Sequence, residues 1–167
     1  RRARRAPAQL WRVARVLAAS SYVRERVLVE NPGLTSATRV VGYPIPWQAL
    51  QAVAAQRPKH LPNSASVCTI GYVGRIHEEK GLALLADALV ILARRSHLPA
   101  WRFLFCGPVD VARGGSGPEY CAAILDRITP AIGAERVERL EPQFDEQALA
   151  GVYQRIDVFC YPSLAAQ

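Results

Sequence analysis

The chain has 167 residues, half of them hydrophobic, a size that suits one α/β domain or parts of two. Its formal net charge of +7 sits almost wholly in Arg1, Arg2, Arg4, Arg5, Arg12 and Arg15, ahead of the first acid, Glu25. Basicity confined to one end makes no domain-wide patch, so no nucleic-acid partner is expected, and no run reaches the roughly 18 apolar residues of a membrane span.

Two readings account for the segment RRARRAPAQLWRVAR: a solvated helix face, which is the simpler, and a peripheral contact with anionic lipid headgroups. Methionine is absent, and the final PSLAAQ follows directly on a strand-like run. The chain is therefore expected to be an internal piece of a longer protein. The cysteines Cys68, Cys106, Cys121 and Cys160 form no C-x-x-C pair and no metal-site spacing, which suits reduced thiols in a cytoplasmic protein without a bound metal.

RVLAA reads as a short strand. A helix follows through YVRERVLVE, capped by Ser20 or Ser21 and stopped by Asn31-Pro32-Gly33. TRVVGYPIP alternates like a strand until its prolines end it. Residues 44 to 66 carry Pro44, Pro46, Pro58 and Pro62 around one helical stretch, WQALQAVAAQ, and form a candidate domain boundary. The predicted division is 1–46, the end of one domain; 47–66, a connector; and 67–167, a second domain.

From Val67 the pattern becomes regular. VCTIGYV is a strand, and LALLADALVILARR carries a helical stripe at Leu82, Leu85, Leu89 and Leu92. WRFLFCG is a strand, EYCAAILDRI a helix beginning at Pro118-Glu119, and RVERL a short strand. DEQALAGVYQRI is a helix capped by Asp145, and DVFCYP a final strand. Four strands alternating with three helices predict a Rossmann-like, doubly wound parallel sheet. Strands 103–106 and 158–161 are apolar on both faces and are expected to be covered by helices on both sides.

Ligands of such folds bind beyond the carboxyl ends of the strands. GRIHEEK, residues 74–80, lies at such an end and runs into a helix. Gly74 permits a close turn, the helix N-terminus behind Gly81 favours phosphate, and Arg75 and Lys80 add a planar and a compact cation. Lys59 and Lys80 are the sole lysines among 21 basic residues, which makes the second informative. An ordinary strand-to-helix loop would also carry glycine and arginine, so the loop alone leaves phosphate binding open. Neither the P-loop pattern nor G-x-G-x-x-G is present, which argues against an NAD enzyme, and no cofactor is expected. Glu78 and Glu79 read as solvated, dipole-compatible acids.

GYVGRIHEEKGLALLADAL closely resembles the "GR, a few residues, EKG, then helix" signature of the GT4 family of GT-B fold glycosyltransferases. WRFLFCGPVD, RVERLEPQFDEQALAGVYQRIDVFCYPSLAAQ and SSYVRERVLVENPGLTSATRVVGYPIP resemble further family stretches, in matching order. The resemblance implies that Arg75 and Lys80 bind the diphosphate of a nucleotide-sugar donor, with Gly74 and Gly107 nearby, in a metal-independent, retaining sugar transfer to an unidentified acceptor. The family's E-x7-E pair belongs beyond Gln167, and its acceptor-side glycine loop and histidine before Arg1. This piece alone is accordingly expected to be inactive.

Other residues read as structural. RGGSGPEY, 113–120, reads as a flexible surface loop, His77 as an exposed loop histidine, and Asp157 as a packing or loop-bonding residue. Ser163 lacks the elbow pattern of a nucleophile. The competing reading is a non-catalytic, Rossmann-like module that binds an anion or a partner.

Overall fold

The computed structural model describes residues 15–43 and 67–164, with isolated helical positions at 48, 51, 52 and 55. The arginines before Arg15 and most of the proline-punctuated connector lie outside the described residues. Two compact units divide the chain, Arg1–Ile45 with Gln167, and Pro46–Ala166. Among the described residues no helix is long and apolar enough to cross a membrane.

The first unit contains a parallel β-α-β element. Strand β1 (Val16–Ala18) leads into helix α1 (Ser21–Glu30), and β2 (Thr38–Val40) returns beside β1. Of the two candidate caps, Ser20 is the one used, its hydroxyl accepting the Val23 N–H at 3.2 Å. Strand β2 is shorter than TRVVGYPIP suggested. Its last tie is the Val41 N–H to the Ala18 carbonyl, beyond which β1 offers no further partner.

The second unit is a four-stranded, wholly parallel sheet in the order β5-β4-β3-β6. Its elements are β3 (Cys68–Val73), α2 (Leu82–Ala93), β4 (Trp101–Cys106), α3 (Pro118–Ile132), β5 (Val137–Leu140), α4 (Glu146–Gln154) and β6 (Val158–Phe159). Strand alternation sorts β4 between two cores. Trp101, Phe103 and Phe105 pack with Leu82, Leu85 and Leu89 of α2 and Cys121, Ile124 and Ile128 of α3. Leu104 and Cys106 turn to the other face, under Val152 of α4 and Ile156. Helices thus cover both faces, as a doubly wound sheet requires. Each large side chain buried in this way contributes about 1.5–3 kcal/mol before entropy is counted.

Two local expectations are corrected. Helix α3 does not end near Ile128 but continues through Pro130 to Ile132. Pro130 removes one helical hydrogen bond, but the stripe Cys121, Ile124, Ile128, Ile132 is buried along its length, and that packing outweighs the loss. The residues of strand 158–161, expected to be covered, are instead largely exposed: Val158 is 48% and Phe159 47% accessible. β6 stands at the sheet edge, with β3 as its partner among the described strands.

The sheet order also locates the site. From β3 the chain winds through β4 to β5 on one side, then crosses to β6 on the other. The carboxyl ends of β3 and β6 therefore flank the point where the winding reverses, where open α/β sheets form their ligand crevice.

Candidate functional site

Three segments meet at that end of the sheet: the loop after β3, the loop after β4 and the stretch after β6. The first two are tied by main-chain bonds. Gly74 N–H donates to Cys106 O, Ile76 N–H to Pro108 O, and Ser116 N–H to Ile76 O, each at 2.9 Å. Glycine makes this approach possible. A Cβ on Gly107 would overlap the Gly74 carbonyl oxygen, and one on Gly74 would lie 2.8 Å from the Tyr72 hydroxyl. Gly74 therefore serves close packing here, at a positive φ of 158°.

The glycine-rich segment after β4, read as a flexible surface loop, is an ordered wall of the site. Gly115 and Gly117 are buried, and their N–H groups donate to Asp110 O at 2.8 Å and Val109 O at 2.9 Å. Its small residues let the strand-like loop after β3 pack against it, which is why burial overrides the surface character of RGGSG.

Arg75 projects toward this wall. Its Nη1 donates to the Gly114 carbonyl at 3.0 Å, and its Nη2 pairs with the Glu79 carboxylate. Glu79 is accordingly not the free solvated acid expected, although both side chains remain 41% exposed. The Tyr72 hydroxyl donates to the Arg75 carbonyl at 2.7 Å. Burial pushes the Tyr72 phenol far above its ordinary range.

His77 begins a short 3-10 turn over Glu78–Lys80. Its Nδ1 accepts the Glu79 N–H at 3.2 Å, so the imidazole caps the turn. Successive residues of such a turn point in very different directions. Glu79 therefore reaches Arg75 while Lys80 turns inward, only 7% exposed. The Lys80 ammonium lies 5.4 Å from the centroid of the Tyr161 ring. No carboxylate among the described residues comes within ion-pair distance of it. Packing the lysine stem this deeply restricts the hydration of its charged end, and the ring face replaces only part of what is lost.

Behind Lys80 the chain enters α2 through Gly81, whose φ of +70° is a left-handed conformation. A Cβ there would also overlap the Pro162 carbonyl, so the stretch after β6 is seated directly on this entry. Leu164 N–H donates to Glu79 O at 2.8 Å, and the Ser163 hydroxyl approaches the same oxygen at 3.5 Å, a structural contact for that serine. Tyr120 of α3 carries a buried hydroxyl that makes no well-formed hydrogen bond among the described residues and lies nearest the backbone of Ala83 in the first turn of α2. Asp157 binds within the sheet, its Oδ2 accepting the Thr69 N–H at 2.8 Å, which matches its structural reading.

Gly74, Arg75, Lys80 and Gly107 thus all belong to the carboxyl end of the sheet. Arg75 faces the loop after β4, whereas Lys80 faces the segment after β6. Tyr161, Gly81 and Glu79 were not singled out from sequence as site residues. The i, i+4 spacing of Arg75 and Glu79 carried a signal for the pair, and an aromatic just past a strand end carried a weaker one for Tyr161.

Parallel strands wound in both directions, with cations at the reversal point, define a Rossmann-like, doubly wound domain. Residues 67–167 match the family described as glycosyl transferases group 1, more than half of the chain, and the chain belongs to that family. Over 110 residues it is 36% identical to a D-inositol 3-phosphate glycosyltransferase of Corynebacterium urealyticum, a match covering 65% of this chain and 24% of that protein. Solved structures with the same fold include a trehalose-6-phosphate synthase, at TM-score 0.68 and 20% identity, covering 90% of this chain and 40% of that one. A glycosyltransferase from Rickettsia africae aligns at TM-score 0.62 and 16% identity, over 89% of this chain and 38% of that one. The Anabaena HepE protein, solved with UDP and glucose, aligns at 0.59 and 19%, over 91% and 38%. The chain spans about a quarter of the length of the curated relative and well under half of these solved chains.

Proposed function

We propose that this chain carries the donor-gripping part of a GT4-type glycosyltransferase, which moves a sugar from a nucleoside-diphosphate sugar to an acceptor. In this reading the transfer retains anomeric configuration and needs no metal. Residues 1–46 belong to the end of the acceptor-side domain, 47–66 to the connector and 67–167 to the donor-binding domain. The observation that carries the reading is Lys80: a largely buried side chain whose ammonium lies over an aromatic ring, with no carboxylate among the described residues in ion-pair reach, at the winding reversal of a parallel sheet. Such a cation gains most from an anionic ligand.

Arg75 and Lys80 then meet the donor diphosphate, and the free N–H groups at the start of α2 add their dipole. Gly74 and Gly107 keep the loop backbones close beneath the ligand. As the sugar departs, negative charge collects on the nucleoside diphosphate. Fixed cations aimed at that charge act most strongly in the transition state. Membership of residues 67–167 in the group 1 family supports sugar transfer, and the UDP held by the HepE protein supports a nucleotide donor. The arginine-rich segment before Arg15, proposed as a peripheral contact with anionic lipid, lies outside the described residues.

The test is titration of the full-length protein with UDP, GDP and ADP, before and after Lys80→Ala. Loss of a charge-assisted contact to phosphate predicts at least roughly tenfold weaker binding of whichever nucleotide binds best. Undiminished binding and sugar transfer in Lys80→Ala would sink the proposal. Nucleotide binding that depends on Lys80, in a full-length protein unable to transfer sugar, would favour the non-catalytic module.

A further inference from the structure

Arg75 is expected to meet negative charge, yet its Nη2 already meets the Glu79 carboxylate. On charge alone Glu79 opposes the binding of an anion, because it lowers the positive potential at the guanidinium. The geometry introduces an effect of opposite sign. An arginine side chain free to rotate loses conformational entropy when a ligand fixes it, and one already held does not. Here Nη1 is fixed by the Gly114 carbonyl at 3.0 Å and Nη2 by Glu79 Oε1, on two different loops. The plane of the guanidinium is thereby set, and its remaining N–H donors meet no acceptor among the described residues.

Glu79 is itself held through its main chain. Its N–H reaches His77 Nδ1 at 3.2 Å, and its carbonyl accepts the Leu164 N–H at 2.8 Å. The carboxylate therefore projects from a fixed backbone. Exposure decides between the two effects. At 41% exposure for each side chain, water and salt screen most of the charge penalty, whereas the orientation of the guanidinium survives screening.

We propose that Glu79 is a positioning residue that orients Arg75 for a diphosphate oxygen and so strengthens anion binding despite its own negative charge. The inference rests on the assignment of Arg75 and Lys80 to a diphosphate.

The experiment is calorimetric titration of the full-length protein with UDP, GDP and ADP, keeping the tightest binder as the probe. Glu79→Ala is expected to weaken binding about fivefold to tenfold, the cost of ordering a loosened arginine. Glu79→Gln, which keeps an acceptor oxygen but loses the charge, is expected to stay within about twofold of the parent. In an Arg75→Gln background Glu79→Ala should add nothing, an outcome that a general structural role would not give. Glu79→Ser takes the place of Glu79→Ala if the latter does not fold. Equal or tighter binding by Glu79→Ala, with Lys80→Ala still impaired, overturns the positioning role and leaves the diphosphate assignment intact. If the parent protein binds none of the three nucleotides, both are overturned.

Discussion

Lys80 and Tyr161 lie 81 residues apart in sequence and meet with the ammonium 5.4 Å from the ring centroid. Tyr161 in turn stacks on Tyr72, with ring centroids 6.2 Å apart and planes inclined by 7°. The Tyr72 hydroxyl then binds the Arg75 carbonyl, so one aromatic layer connects the two cationic residues of the loop.

The first prediction concerns that contact. A double-mutant cycle of Lys80→Met and Tyr161→Leu, read by urea denaturation, should show a coupling of about 0.5–2 kcal/mol, the range of a partly desolvated cation over a ring. Tyr161→Phe keeps the ring and should keep most of the coupling. Strict additivity of the two single changes would mean that ring and ammonium do not interact in solution.

The entry to α2 should be intolerant of a side chain. Gly81→Ala faces both a left-handed backbone and the Pro162 carbonyl, and should cost about 2 kcal/mol or more. Gly151→Ala offers the contrast. Gly151 lies inside α4, where an added Cβ meets nothing within 4 Å, so stability should rise by about 0.5–1 kcal/mol. Similar urea midpoints for the two variants would contradict this.

Pro130 should be a removable weakness. It is exposed and sits inside α3, where it withholds a helical N–H. Pro130→Ala should therefore raise stability by about 1–2 kcal/mol: the helix gains up to ~3 kcal/mol, and the unfolded chain recovers some lost entropy. An unchanged or lower melting temperature would show that the ring's own packing matters more than the missing bond.

Alkaline pH should destabilise the fold. Burial raises the thiols of Cys106 and Cys121 above their ordinary 9.0 and the Tyr72 phenol above its ordinary 10.0. With folded-state values raised, the stabilisation is fully present below the unfolded values. Above them the unfolded chain releases protons that the folded chain retains, so stability falls. Melting temperatures should begin to drop near pH 9, and more steeply above pH 10. The steeper part should be reduced in Tyr72→Phe. A flat profile to pH 11 would contradict the assignment.

Most of the framework was legible because parallel strands and amphipathic helices announce themselves through apolar periodicity. Leu82, Leu85 and Leu89 form the buried stripe that their spacing implied, and Asp145 caps α4 as its position suggested, accepting the Ala148 N–H at 2.9 Å. The misses have a common origin. Val158 and Phe159 have the apolar character of a central strand, yet exposure depends on which neighbours the topology supplies, and local pattern carries no such information. Helix α3 runs on through Pro130 because the buried stripe to Ile132, a tertiary contact, outweighs the local preference of proline against helix. In the site, Arg75 and Lys80 stood out as cations in a glycine-bounded loop. The partners that hold them are Glu79, whose i, i+4 spacing from Arg75 was the one local hint, and Tyr161, on a distant segment that local spacing does not connect to Lys80.

The pairing of β6 with β3 also bears on the order in which the molecule assembles. Asp157 and Thr69, joined across that edge, are separated by 88 residues, whereas β3, β4 and β5 follow one another through single crossovers. Closing so long a loop is entropically slow, so β6 should dock last. Because the following segment supplies the Pro162 contact at Gly81 and the Leu164 bond to Glu79, the cationic loop would acquire its final shape only at that step. During synthesis from the N-terminus, the loop after β3 would then settle only once β6 and the segment behind it have emerged, and on refolding its final shape should lag behind the return of helical signal.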